Sequence, residues 1–305
     1  MNALSIRDLR KRFGAHTVLD GLSFDVPEHS VFGFLGQNGA GKTTTMKLVL
    51  GLLPPDGGRI EVLGEPVAYG RAATNRMIGY LPDVPEFYGY LRPLEYLKLC
   101  GEISGMPAAR IRERSAELLE LVGLQEERRR IGAFSRGMKQ RLGIAQALLH
   151  QPRLLLCDEP TSALDPVGRK EILDILERVK GRTTVVFSTH ILSDVERVCD
   201  RIAVLHHGRL ALSGSIEDLK AQHRADGLLL EFGTNAELER FAALPALREL
   251  LQGADRTGAS VVLHASDVAE AERLVLSALQ GQELLPVRLE VLEPTLENLF
   301  LEAVQ

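Results

Sequence analysis

The run Gly36-Gln37-Asn38-Gly39-Ala40-Gly41-Lys42-Thr43 spaces its glycines, its lysine and its hydroxyl as G-x-x-x-x-G-K-[ST], a pattern suited to holding phosphate. Glycines let the backbone curl so that successive N–H groups point inward, and a helix opening at the end of the loop adds its positive end. Together they make an anion cradle. Lys42 is placed to meet the outer phosphates of a nucleotide, and the Thr43 hydroxyl to ligate Mg²⁺. Far downstream, Leu154-Leu155-Leu156-Cys157-Asp158-Glu159 reads as a buried strand ending in two carboxylates. Asp158 is expected to hold the Mg²⁺, directly or through water, and Glu159 to polarise an attacking water. Phosphoryl transfer to water asks little covalent chemistry of a protein, because positioning and charge stabilisation do most of the work. An apolar strand followed by Asp-Glu means little alone; with the loop it specifies a site for nucleotide hydrolysis.

Such a site needs one strand before the loop, a helix after it, and a second strand to deliver the carboxylates. Val31-Phe32-Gly33-Phe34-Leu35 supplies the first strand and Lys42 to Leu52 the helix. Short apolar strands alternate with longer helical patterns through the first 220 residues, which predicts an α/β domain with a largely parallel sheet. Leu154 to Cys157 and Thr184 to Ser188 are further central strands, and Arg201 to Leu205 with Arg209 to Leu212 form a hairpin turning at His206-His207-Gly208. Pro93 to Glu102 and Arg110 to Val122 are two amphipathic helices separated by Gly105-Met106-Pro107, a helical insert in the α/β scheme.

The chain has 305 residues, 45% hydrophobic and 25% charged, a globular composition with room for one large domain and a smaller one. Its net charge of −5 lacks the basic excess of a nucleic-acid-binding surface. Charge is unevenly spread: beyond Lys220 there are six Arg and no Lys against fourteen Asp or Glu, whereas the first 220 residues are slightly basic. Domains are therefore expected at 1–220 and 221–305. The second carries strand patterns at Leu228 to Phe232, Val261 to His264 and Val287 to Val291, and helical patterns at Asn235 to Leu251, Asp267 to Leu279 and Thr295 to Ala303. A small α/β or α+β unit without a catalytic cluster results, suited to a regulatory or architectural role. No apolar run reaches the roughly 18 residues of a membrane span, so direct membrane insertion is not expected. The N-terminal residues lack a secretory pattern, which predicts a cytosolic protein. Cys100, Cys157 and Cys199 are far apart and suit reduced thiols better than a disulfide framework or a zinc site.

Phe134-Ser135-Arg136-Gly137-Met138-Lys139-Gln140-Arg141-Leu142 resembles the signature motif of the ATP-binding subunits of ABC transporters. Asp158-Glu159-Pro160-Thr161-Ser162-Ala163-Leu164-Asp165-Pro166 is similar to that family's Walker B motif and D-loop, and Ser188-Thr189-His190 to its switch-histidine strand end. The resemblance covers roughly Leu4 to Leu219. It implies a P-loop ATPase fold: a RecA-like core, an N-terminal antiparallel β part and a helical signature subdomain. It also implies ATP and Mg²⁺ as cofactors, with ATP bound by Gly36 to Thr44 and its adenine stacked on Phe13. A second ATPase subunit, identical or paired, would cover that nucleotide with its own signature segment, Ser135 to Met138. Ser135 and the Gly137 N–H would face the partner's γ-phosphate, aided by the N-terminal end of a helix from about Met138 to Leu149. His190 is expected to contact the γ-phosphate rather than act only as a structural histidine. Asp165 is expected to link the two sites across the dimer, or to cap the helix starting near Pro166, or both.

Three positions depart from the family pattern. Asp83, after Ile78-Gly79-Tyr80-Leu81-Pro82, stands where a glutamine senses Mg²⁺ and the membrane partner, and Arg136 and Met138 replace a glycine and a glutamine. A carboxylate at 83 still ligates hard cations; Arg136 either adds positive charge near phosphate or points to solvent. In related proteins a cytosolic helix of an integral membrane permease docks beside the segment that here runs Asp83 to Leu91, where Phe87, Tyr88 and Tyr90 are anchor-type aromatics. Each of the three serves equally well as cover for the domain's own core. Glu293-Pro294-Thr295-Leu296-Glu297-Asn298-Leu299-Phe300-Leu301 resembles the C-terminal extension of ABC-2 type exporter ATPases. The implied protein powers export from the cytoplasmic face of the cell membrane, held there through its permease. The alternative is an ABC ATPase acting on ribosomes or DNA, which would ordinarily carry tandem ATPase domains or a long coiled coil.

Overall fold

The computed structural model describes residues 1–222, 227–265, 267–282, 284–292 and 296–304. One compact unit is Met1–Ile216 with Ala303 and Val304, and a second is Glu217–Glu302. In chain order the first unit builds β1 (Asn2–Phe13), β2 (His16–Pro27), β3 (Val31–Leu35), α1 (Lys42–Val49), β4 (Gly57–Val62), β5 (Glu65–Pro66), β6 (Ile78–Leu81), α2 (Pro93–Ile103), α3 (Ala108–Leu121) and α4 (Arg136–Leu148). It continues with β7 (Leu154–Asp158), α5 (Pro166–Val179), β8 (Thr184–Thr189), α6 (Leu192–Val198), β9 (Arg201–His206) and β10 (Arg209–Ser215), and α7 (Ile216–Gln222) comes next.

Two sheets divide this unit. β2-β1-β4-β5 is antiparallel, and β10-β9-β3-β8-β7-β6 is parallel except for the edge hairpin of β10 on β9. Every residue of β3, β7 and β8 is buried, as expected for parallel strands covered on both faces, and this is why they read as unbroken apolar runs. Phe24 of β2 stacks on Phe32 and Phe34 of β3, with centroids 5.6 and 5.3 Å apart, and these rings join the two sheets in one core. The helical insert of α2 and α3 meets α4, with Tyr96 donating from its hydroxyl to Gln146 Oε1 at 3.0 Å. Cys157 is buried, and burial pushes its thiol pKa far up, which makes it an inert core residue.

The second unit holds β11 (Gly227–Glu231), α8 (Asn235–Ala242), β12 (Asp255–Thr257), β13 (Ser260–His264), α9 (Val268–Gly281), β14 (Arg288–Leu292) and all but the last two residues of α10 (Leu296–Val304). Its sheet, ordered β12-β13-β11-β14, is antiparallel throughout, so the unit is α+β with the βαββαβ path of ferredoxin-like folds. Leu228, Leu230, Val261 and Leu263 from the sheet pack with Leu238 and Phe241 of α8 and Val275 and Leu279 of α9. The helical pattern over Asn235 to Leu251 does not form one helix. α8 stops at Ala242, and Pro245, which has no N–H to donate, opens a short 3-10 turn at Pro245–Leu247. Thr295, expected to open the last helix, lies outside the described residues together with Glu293 and Pro294.

Candidate functional site: a nucleotide pocket at the strand ends

β3, β8 and β7 are neighbours in the parallel sheet, with Leu35 paired to Thr189 and Asp158 to Ser188. The residues just beyond their C-terminal ends are therefore brought together: the glycine loop after β3, Glu159 after β7 and His190 after β8. The carboxyl edge of such a sheet is where α/β folds bind ligands.

The loop closes on itself through Ala40 N–H donating to the Gln37 carbonyl at 3.1 Å, and Gly41 stands at φ 110°, a conformation side chains resist, to start α1. Lys42 is 5% exposed. Its Nζ donates to the Gly36 carbonyl at 2.6 Å and the Gln37 carbonyl at 3.3 Å, and pairs with Glu159 Oε1 at 3.0 Å. The other carboxylate oxygen of Glu159 meets His190 Nδ1 at 3.0 Å. Lysine, glutamate and histidine thus form one chain of contacts across three strand ends.

Glu159 adopts φ 46°, as does Ala163 at 52°, a left-handed backbone costing roughly 1–2 kcal/mol for a side-chain-bearing residue. Ser188 and Ser162 hold it there. The Ser188 hydroxyl donates to Asp158 Oδ1 at 2.6 Å and accepts the Glu159 N–H at 3.0 Å, and Ser162 N–H donates to the Glu159 carbonyl at 3.0 Å. Behind them, buried Asp194 accepts from the Thr161 hydroxyl at 2.7 Å and from Arg169 at 2.5 Å, tying the segment after β7 to α5 and α6. The sequence showed none of the side-chain supports, because they join residues 25 to 33 positions apart.

A cavity of about 540 Å³ brings together Phe13, Asn38, Gly39, Gly41, Lys42, Thr43, Thr44, Asp83, Glu159 and His190, with Val18 and Ser162 added to the residues expected from sequence. Phe13 is 49% exposed on its rim, with the Lys11 ammonium 5.3 Å from its ring centroid. Gln37 and Ala40 line a neighbouring space with His206 and His207. Asp158 lies beneath, buried and tied to Ser188. The cavity lining does not include Ser135 to Met138 or Asp165. Ser135 caps α4 by accepting the Met138 N–H at 3.2 Å, and Asp165 caps α5 by accepting the Gly168 N–H at 3.2 Å. Arg136 is exposed and also turns back onto Asp83 of its own chain, at 3.3 Å. Burial raises the Asp83 carboxyl pKa, Arg136 opposes that, and the Asp158 and Glu159 carboxylates add to it.

Among the described residues no three His, Cys, Asp or Glu side chains converge to hold a metal. The oxygen donors of Thr43, Asp83 and Asp158 nevertheless fit Mg²⁺, which is commonly bound by one or two carboxylates together with substrate phosphates rather than by a protein cage. Beside this cavity a groove of about 460 Å³ runs between the Asp83–Gly89 segment and Ile131, Arg136 and Lys139. Phe87 packs edge-on to Tyr96 at 5.1 Å and covers the chain's own core, whereas Tyr88 and Tyr90, 55% and 66% exposed, stand 5.9 Å apart at the surface.

Comparison with known proteins agrees with this arrangement. Residues 19–162 match the ABC transporter family, and residues 214–304 match the C-terminal domain of DrrA1-3-like ATP-binding proteins. The chain is 39% identical over 304 residues to the ABC transporter ATP-binding protein YxlF of Bacillus subtilis, covering 99% of both chains. It is 43% identical over 222 residues to the bacitracin transport ATP-binding protein BcrA of Bacillus licheniformis, covering 71% of each. To the Nod factor export ATP-binding protein I of a Rhizobium species it is 35% identical over 301 residues, covering 98% of this chain and 96% of that one. A solved ATP-binding subunit of an ABC transporter, 34% identical, superposes with a TM-score of 0.65 over 72% of this chain and 92% of its own. With Lys42, Glu159 and His190 in one pocket, these matches make the chain a member of the ABC transporter ATP-binding protein family, an ATPase subunit.

Proposed function

We propose that this ATPase drives export through a separate membrane permease, as one of two ATPase subunits that close on each other around ATP. The observation that carries the reading is the contact chain Lys42–Glu159–His190 around one cavity, with the Ser135–Met138 turn absent from that cavity. A site with a phosphate cradle and a general base but without its signature turn is half a site, and a second subunit would supply the rest. In the proposed roles, Gly36 to Thr44 cradle the phosphates, Phe13 stacks on adenine, Thr43, Asp158 and Asp83 hold Mg²⁺, Glu159 orients the attacking water and His190 meets the γ-phosphate. Mg²⁺, when bound, would neutralise phosphate charge. Ser135 and Gly137 would act on the partner's nucleotide, and Asp165 would join the two sites. ATP favours the closed dimer because it contacts both halves only there, and loss of the γ-phosphate removes that differential affinity.

Export is supported by the names of the relatives, which include bacitracin transport and Nod factor export proteins. Among the described residues no helix is long and apolar enough to cross a membrane, so attachment at the cytoplasmic face is assigned to the permease, with exposed Tyr88 and Tyr90 beside its docking groove. The ATPase function is assigned to 1–220 and an accessory role to 221–305. The decisive experiment is Glu159→Gln. The variant should bind ATP, accumulate as a closed dimer in size-exclusion chromatography and lose turnover; hydrolysis at the wild-type rate would remove Glu159 from its role.

A further inference from the structure

Three positions on one face of α4 grip the segment that carries Asp83. Arg136, Gln140 and Gly143 follow i, i+4, i+7 spacing and so form a stripe. Gly143 lets the helix close on Leu81 and Pro85: a Cβ built there would lie 2.5 Å from Leu81 Cδ1 and 3.4 Å from the Pro85 ring. Gln140, fully buried, donates from Nε2 to the Asp83 carbonyl at 2.8 Å. Arg136 reaches the Asp83 carboxylate at 3.3 Å, and there the character of the contact changes, because these two side chains are 42% and 47% exposed. The Asp83 backbone is fixed to α4, whereas its carboxylate is held by an exchangeable ion pair of the kind worth little in water. Asp83 also lines two cavities, the one shared with Lys42, Thr43 and Glu159 and the groove shared with Arg136 and Lys139. It therefore has a guanidinium on one side and, on the other, the carboxylate-rich place where a cation would sit.

We propose that Arg136 is the resident counter-ion of Asp83, and that a divalent cation arriving with nucleotide displaces it, freeing the guanidinium at the first turn of α4 for the nucleotide phosphates held by the partner subunit. The pair then links a subunit's own cation site to the site it completes in trans. This rests on the dimeric reading above. Of the residues assigned to the cation, Asp83 is the one paired with Arg136, so two of the three departures from the family pattern work as one device.

The test titrates Mn²⁺, followed by electron paramagnetic resonance, into the full chain loaded with a non-hydrolysable ATP analogue under monomeric conditions. Arg136→Gly should tighten Mn²⁺ binding about twofold to fivefold, the range of a half-exposed ion pair, and should have no effect in an Asp83→Asn background. Arg136→Lys keeps the charge but not the fork and should fall between. In a Glu159→Gln background, Asp83→Asn should lower the ATP concentration needed for dimerisation and Arg136→Gly should raise it. Equal tightening with and without Asp83, or none, overturns the proposal while leaving the nucleotide site intact. A wild-type chain that binds no Mn²⁺–nucleotide, or a Glu159→Gln chain that stays monomeric with ATP, instead overturns the reading on which it rests.

Discussion

Within Met1–Ile216 the buried side chains include Lys42, Gln140, Asp158, Thr161, Ser188 and Asp194, whereas every buried side chain among the described residues of Glu217–Glu302 is apolar. Backbone strain divides the same way. Glu159, Ala163 and His207 are among seven non-glycine residues with positive φ, all in the first unit, while among the described residues of the second only glycines adopt it. Buried polar groups cost stability unless each finds a partner, and left-handed side-chain-bearing residues cost more. The first unit gives up stability at the strand ends to hold charged groups in one geometry. The second packs its sheet against α8 and α9 through apolar side chains.

The contrast is sharpest for truncations of equally buried residues. Lys42→Ala removes a charge from the proposed phosphate cradle, where two unit charges about 4 Å apart interact by about 4 kcal/mol at an effective dielectric near 20. Nucleotide affinity measured by calorimetry should fall by at least about a hundredfold, with the fold retained. Leu230→Ala in β11, fully buried in the second unit's core, should instead cost about 2–5 kcal/mol in chemical denaturation of that unit. Its nucleotide affinity should stay at the wild-type value. A matched loss of affinity in Leu230→Ala would erase the division between the units.

A smaller effect probes the supports of the site. Ser188→Ala deletes the hydroxyl that donates to Asp158 and accepts from the Glu159 N–H. Leaving a buried partner unsatisfied costs about 1–3 kcal/mol, so kcat should fall about tenfold while ATP affinity changes little. An unchanged kcat would mean that Glu159 keeps its strained backbone without help.

These supports also show where reading a sequence stops. The glycine loop, Asp158 and Glu159 were legible because each motif is contiguous and the central strands, buried on both faces, are unbroken apolar runs. Ser188 was visible only as part of a Ser-Thr-His string; its role depends on Asp158 pairing with it across the sheet, and strand register is not written locally. The Thr161–Asp194–Arg169 contact likewise joins three elements. Arg136 was expected at phosphate or in solvent, because its spacing cannot say which way a long side chain on a first helical turn folds back. The end of α8 was missed although its cause is local: apolar periodicity continues past Pro245, but the backbone hydrogen bonding does not.

The smallest contrast uses one motif found in both units. Thr234 caps α8 by accepting the Glu237 N–H at 3.3 Å, and Glu237 returns the contact by accepting the Thr234 N–H at 2.9 Å. Asp165 caps α5 by accepting the Gly168 N–H at 3.2 Å, ahead of Pro166. Replacing either cap with alanine should cost about 1 kcal/mol, read as a lowered midpoint in chemical denaturation. Thr234→Ala should do nothing else. Asp165→Ala should also reduce the cooperativity of ATP hydrolysis, since the same carboxylate is assigned a second task across the dimer. Asp165→Asn separates the two, because asparagine caps as well as aspartate does but carries no charge: stability should be kept and cooperativity should fall. If Asp165→Asn keeps both, Asp165 is a cap and nothing more, and at this level the helices of the two units are equivalent.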